Sequence, residues 1–259
     1  MRSKMALPEL NFDHHFIIKQ RLRIIKLLLI EISESISVLF LAFTLIIALK
    51  HRDNNLKLIT IYIVVTIIYS LTDVWACIFT PTNYKFLSVL YNSYDILEFT
   101  IINSFIFSRL RSTTLRIVSV LCFLFYFLMC YIDFSHFHFS NFTPIMAGIG
   151  YIFIAIPSLL LIFEVLKSDL KTDLRSNPDF LIGSGCLFYY SLCIPISFFL
   201  GNAFFANNIL DIAPYLVCLT YFFYAFLIYT FIRAYLSPPA KYSLEMLFKT
   251  ERFIVNSLN

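Results

Sequence analysis

Long apolar stretches alternate with short polar breaks along most of the chain, and that pattern predicts seven helices of membrane-spanning length. The apolar segments fall at about 27–49, 56–79, 86–107, 115–132, 142–166, 180–200 and 212–235. Each is close to the roughly 20 residues that cross a hydrocarbon core at 1.5 Å rise per residue. Ahead of them, residues 12–26 mix Phe16, Ile17, Ile18, Leu22, Ile24 and Ile25 with Lys19, Arg21, Arg23 and Lys26, the composition of a basic amphipathic helix on a membrane surface. Behind them, Ser237-Pro238-Pro239 stops the last segment, and Leu244, Leu247, Phe248 and Phe253 offer one apolar face for a short tail helix, with a frayed end as the alternative. The expected fold is an all-α integral membrane protein. It has an N-terminal basic amphipathic segment (1–26), a seven transmembrane helix bundle (27–236) and a cytoplasmic amphipathic tail (237–259).

Composition narrows the class. A mean hydropathy of +0.80 with 14% charged residues lies far from soluble domains, in which about a quarter of residues are charged. The first apolar segment is too long for a signal-peptide core and lacks a small-residue cleavage pattern, so it is expected to be retained. Cys77, Cys122, Cys130, Cys186, Cys193 and Cys218 all sit in apolar runs without paired spacing, which speaks against a disulfide framework or a zinc motif. The net charge of +4 comes mostly from residues flanking the spans, which fits anionic lipid and not nucleic acid.

Those flanking charges also predict an orientation. Lys50, Arg52 and Lys57 fall in the first loop, Arg109, Arg111 and Arg116 in the third, Lys167, Lys171 and Arg175 in the fifth, and Arg233, Lys241, Lys249 and Arg252 at the tail; the even loops hold only Lys85. The positive-inside rule then puts the C-terminus in the cytoplasm of a plasma or inner membrane and, with seven spans, the N-terminus outside. Arg2, Lys4, Lys19, Arg21, Arg23 and Lys26 pull the other way. Either they rest on the outer headgroups, or the 27–49 segment, interrupted by Glu31, Ser33, Glu34 and Ser35, does not span and six helices remain.

Ionisable groups inside spans are costly, about 3 kcal/mol for a mid-membrane Asp on insertion scales, and so mark candidate sites. Glu31, Glu34, Asp73, Asp95 and Glu98 all map to the outer half of the first three spans. In the second span Tyr62, Thr66, Tyr69 and Asp73 follow i, i+4, i+7, i+11 and form one polar stripe; in the third Asn92, Asp95, Glu98 and Asn103 share an arc of about 140°. The expectation is a polar pocket between spans 1, 2 and 3, built from Glu31, Glu34, Asp73, Asp95, Glu98, Tyr69 and Asn92. No Lys or Arg lies at that depth, so some acids would hold a proton or meet a cation. The bland alternative makes them interhelical struts partnered by Tyr69, Asn92 and Asn103.

Other polar features are weaker. Asp133, His136 and His138 can be metal ligands by type but read better as an interfacial loop with solvated histidines, and His14 and His15 read likewise. Gly148, Gly150, Gly183 and Gly185 suit close helix approach, and Pro144, Pro157, Pro195 and Pro214 suit kinks. Tyr151, Tyr189, Tyr190, Tyr221 and Tyr224 offer hydroxyls to a pocket, or anchor at the interface.

Leu29-Ile30-Glu31-Ile32-Ser33-Glu34, Tyr91-Asn92-Ser93-Tyr94-Asp95-Ile96-Leu97-Glu98-Phe99 and Asn177-Pro178-Asp179-Phe180-Leu181-Ile182-Gly183 resemble an uncharacterised family of small bacterial seven-span proteins, similar to the seven-helix input modules of membrane sensors. The resemblance runs from about Leu27 to Leu236, implies no activity or cofactor, and is departed from by the basic N-terminus. Three functions compete. A sensory or partner-binding membrane subunit, with the lipid bilayer and a signalling or other membrane protein as partners, comes first. A small transporter or proton/cation-handling protein comes second, although no internal repeat and no Pro-Gln motif supports it. A carboxylate-based intramembrane lipid enzyme comes third; no catalytic signature stands out, and no apolar segment contains a histidine, which weighs against zinc chemistry.

Overall fold

In a computed structural model of the chain, the described residues are 32–33, 35–51, 56–79, 84–137, 144–168, 174–205 and 213–237. Among them seven helices follow one another: α1 (Ser35–His51), α2 (Lys57–Phe79), α3 (Tyr84–Arg109), α4 (Thr113–Phe137), α5 (Pro144–Ser168), α6 (Pro178–Phe205) and α7 (Ala213–Leu236). The basic segment at 12–26, the tail helix, Glu31, Glu34, His14, His15 and His138 lie outside the described residues. Five helices, α2 and α4 to α7, are long and apolar enough to cross a membrane, which supports a helical membrane-embedded bundle. At 26 residues α3 has the length but not the apolarity, because Asn92, Asp95, Glu98 and Asn103 interrupt it. The described part of α1 is 17 residues long.

Observed boundaries follow the apolar segments closely, except that α6 runs five residues past the expected 200, to Phe205, and α4 also ends late. α4 runs on to Phe137, so Asp133 and His136 extend a helix where a loop was expected. Its 25 residues rise about 37 Å, enough to carry that end beyond a hydrocarbon core about 30 Å thick.

Cross-helix contacts establish an alternating bundle. Tyr62 meets Glu98, Thr66 meets Tyr94 and Asp73 meets Tyr91, so position rises on α2 as it falls on α3 and the two helices are antiparallel. The same reversal relates α6 to α7 through Tyr189 with Tyr224 and Phe188 with Phe226. Small residues permit the tightest approaches. A Cβ on Gly185 would collide with the Thr230 hydroxyl of α7, and one on Gly150 would sit 3.0 Å from the Tyr126 ring of α4. Pro157 and Pro195 stand inside α5 and α6, whereas Pro144 opens α5, where its missing N–H costs nothing.

One end of the bundle gathers basic residues at the helix ends and is stitched by polar side chains. Arg109 at the end of α3 donates to Asp179 at the start of α6 over 2.6 Å. Glu164 of α5 accepts the backbone N–H groups of Arg111 and Ser112 at 2.8–2.9 Å, capping α4. Asn177 accepts the N–H groups of Asp179 and Phe180, so with Pro178 in the first position it forms a helix start. Tyr235 near the end of α7 bonds Thr60 and the Leu56 carbonyl at the start of α2. Arg109, Arg111, Arg116, Arg175 and Arg233 thus belong to the same end as Lys57.

Candidate functional site

Most hydroxyls in the helices satisfy themselves locally. Ser37, Thr44, Thr72, Thr100, Ser158 and Thr220 each donate to the carbonyl four residues earlier on their own helix. A short side chain on a helix reaches its own backbone before it reaches a neighbour. Phenols are long enough to cross, and the interhelical polar contacts of the core are built from them.

Glu98 is the hub. It lies near the middle of α3, 4% exposed, and its Oε1 accepts the hydroxyls of Tyr62 from α2 and Tyr190 from α6, each at 2.9 Å. Both rings are fully buried, Tyr62 edge-on to Phe231 of α7 and Tyr190 against Tyr151 of α5. One carboxyl therefore ties three helices, and rings from two more support its donors. Hydrogen bonds to an ionised acceptor are roughly twice as strong as neutral ones, and a buried carboxylate without them would be costly.

One turn away Asp95 is half-buried and, with Glu98, borders a cavity of about 10 Å³, close to the size that admits one water. Phe99, Tyr126, Gly150 and Tyr151 complete most of its wall. Gly150 leaves room for Tyr126, whose ring stacks on Phe99 at 3.8 Å. The α2 stripe faces the same α3 surface higher up. Asp73 is buried and accepts the Tyr91 hydroxyl at 3.0 Å, Tyr69 stacks on Tyr94 at 3.9 Å, and Tyr94 lies 3.1 Å from the Thr66 hydroxyl.

Of the seven residues singled out from sequence, Asp73, Tyr69, Asn92, Asp95 and Glu98 are described, and all but the half-buried Tyr69 and Asp95 are buried. The structure brings Asp95 and Glu98 to one cavity. Asp73 stands about seven residues further along, near 10 Å of helical rise. Glu31 and Glu34 lie outside the described residues. The partners differ from those expected. Glu98 bonds Tyr62 and Tyr190, Tyr69 serves as a stacking ring, and Asn103 donates to the Phe99 carbonyl of its own helix. The polar centre accordingly lies between α2, α3 and α6. Tyr62 was visible as part of the α2 stripe; Tyr190, one of several phenols in an apolar run, carried no signal that separated it from an interface anchor.

Two further features complete the site. The Tyr224 hydroxyl and Asn103 Oδ1 are buried without a hydrogen-bond partner. Cys122, Cys130, Cys186 and Cys193 are buried free thiols, and among the described residues no group of three or more His, Cys, Asp or Glu could hold a metal ion. Comparisons of the chain with protein-family models, with curated proteins and with solved structures find no match.

Proposed function

We propose that this chain is a sensory or partner-binding subunit of a cell membrane, with Glu98 as the centre through which helix positions are coupled. All seven helices span in this reading, α1 and α3 included, with the N-terminus outside and the cytoplasmic C-terminus at the basic end. A reporter fused to the N-terminus that reads cytoplasmic would favour six spans instead.

The observation that carries the reading is the bonding of one buried carboxyl to phenols on two other helices. Any event at Glu98 acts on α2, α3 and α6 together, which is what a membrane input module needs in order to pass a signal to a neighbour. Purification from native membranes should recover a stoichiometric protein partner, and loss of that partner in Glu98→Gln would tie the site to the interaction. Repeated recovery of the chain alone would count against the reading. A second reading, transport of a proton or small cation, is favoured by the cavity that Asp95 and Glu98 share. Flux in proteoliposomes that is abolished by Asp95→Asn and Glu98→Gln would put transport first.

A further inference from the structure

The Glu98 contacts are the inner end of a longer polar seam. On α2, Tyr62, Thr66, Tyr69 and Asp73 lie along one face; opposite them on α3 stand Glu98, Tyr94 and Tyr91. Tyr91 donates to Asp73, the Tyr69 ring contacts both Tyr91 and Tyr94, Tyr94 meets Thr66, and Tyr62 closes on Glu98. From Tyr62 to Asp73 the seam covers eleven residues of rise, about 16 Å. Apolar side chains of similar size would pack this interface without burying polar atoms, so packing alone does not account for it.

A second observation points to the inner end as a place where bonding changes. Tyr224 of α7 is 7% exposed, and its hydroxyl lies within reach of Tyr62 and Thr66, beside Glu98, without a hydrogen bond of good geometry to either. It is a spare donor and acceptor held against a cluster whose other hydroxyls are engaged.

We propose that the ligand of the Glu98 centre is a proton. The proposal rests on the reading of Glu98 as the functional centre and names what that centre senses. Hydronium in the bathing water gives up one O–H bond and departs as water, and its proton forms one O–H bond on the Glu98 carboxylate to give the neutral acid. Bonds from Tyr62 and Tyr190 then pass from charge-assisted to neutral and weaken together, loosening α2 and α6 from α3. Tyr224 is placed to engage Tyr62 as that tie relaxes.

The surroundings suit a site that changes charge. Beside Tyr62 and Tyr190, Glu98 faces Asp95 and Tyr94 on its own helix, Tyr126 from α4 and Tyr151 from α5. Cys186, Tyr189 and Cys193 face it from α6 and Tyr224 from α7. Among these there is no Lys, Arg or His, so no fixed cation pins Glu98 in the ionised form.

The test is infrared difference spectroscopy of the full chain in lipid nanodiscs, stepped from mildly alkaline to mildly acidic buffer. A protonated-carboxyl band should appear, vanish in Glu98→Gln and persist in Asp95→Asn. Absence of the band, or its loss in Asp95→Asn but not in Glu98→Gln, overturns the proposal. Should Glu98→Gln fail to fold, Tyr62→Phe and Tyr190→Phe must each move the band, since each removes a donor to the same oxygen, and an unmoved band overturns the assignment. A silent carboxyl together with a recovered stoichiometric partner would end the proton claim and leave the partner-binding reading standing.

Discussion

Replacing Tyr190 by Phe removes one oxygen and leaves the ring, so its contacts with Tyr151 at 5.4 Å and Tyr189 at 4.9 Å survive. What is lost is the 2.9 Å bond to Glu98 Oε1, between groups that are both buried. A hydrogen bond to a charged acceptor contributes about 1.5–3 kcal/mol, whereas neutral interhelical bonds in membranes average about 0.6 kcal/mol. The expected cost of Tyr190→Phe is therefore about 2 kcal/mol while Glu98 is ionised, falling toward about 0.6 kcal/mol once it is protonated. The sign follows from which form the hydroxyl favours. Donation stabilises the carboxylate more than the acid, so the wild-type advantage is present above the Glu98 titration and is lost as pH falls through it.

Reversible unfolding in mixed micelles with a denaturing detergent measures that cost at each pH. Repeating it in a Glu98→Gln background closes a double-mutant cycle. Most of the alkaline cost should disappear there, because the charge that made the bond strong is gone. A cost that is the same at both pH values and in both backgrounds would show that the Tyr190 hydroxyl does not act through Glu98, and the account of the centre would fall with it.

Three more outcomes follow from the geometry. Gly185→Ala should cost about 1–3 kcal/mol by forcing a Cβ into the Thr230 hydroxyl, and Thr230→Ala in the same chain should recover part of the loss in the same unfolding assay. Glu164→Ala removes the cap on Arg111 and Ser112 and should cost about 0.5–2 kcal/mol, with faster amide exchange at the start of α4. Arg109→Ala breaks the 2.6 Å pair with Asp179, whose side chains are 22% and 23% exposed, so in the same unfolding assay the loss should exceed the ~1 kcal/mol of a fully exposed pair.

Helix positions were legible because lipid makes the pattern coarse: any 20-residue apolar run between charged breaks reads the same way whatever it packs against. The polar stripe on α2 and the arc on α3 were legible too, since spacing alone turns Tyr62, Thr66 and Asp73 to one side and Asn92 and Glu98 to another. Helix order in space was not, and it decides the partner list. α6 lies beside α3 although 68 residues separate Arg109 from the start of α6 at Pro178. Nothing in the spacing of Tyr190 reveals that it meets Glu98 or that Arg109 meets Asp179. The hydroxyl chemistry was hidden for a different reason. Ser and Thr in these spans look like pocket residues in sequence, yet most close on their own backbone and leave the phenols to reach across.

The least apolar helix is also enclosed by neighbours on most of its sides, and the two facts have one cause. α3 packs against α2, α4 and α5 and reaches α6 through the Glu98–Tyr190 and Arg109–Asp179 contacts, and only residues such as Phe86, Val89, Leu97 and Phe107 on one stripe remain largely exposed. A helix carrying Asn92, Glu98 and Asn103 loses free energy wherever those groups meet hydrocarbon, so it is stable in a bilayer only where neighbours cover its polar sides and supply donors. Its neighbours can be nearly uniform in apolarity because their outer faces meet lipid, as the exposed Leu121, Leu124, Phe125 and Leu128 of α4 do. Low hydropathy in α3 thus reflects a central position, and the same enclosure that makes it costly to place Glu98 there makes any change in its charge felt by three helices at once. If α3 were instead a surface helix, Glu98→Leu would be tolerated and would stabilise the bundle. Enclosed as it is, that substitution leaves the Tyr62 and Tyr190 hydroxyls buried without acceptors, at about 1–3 kcal/mol for each, and should destabilise the bundle in the same unfolding assay.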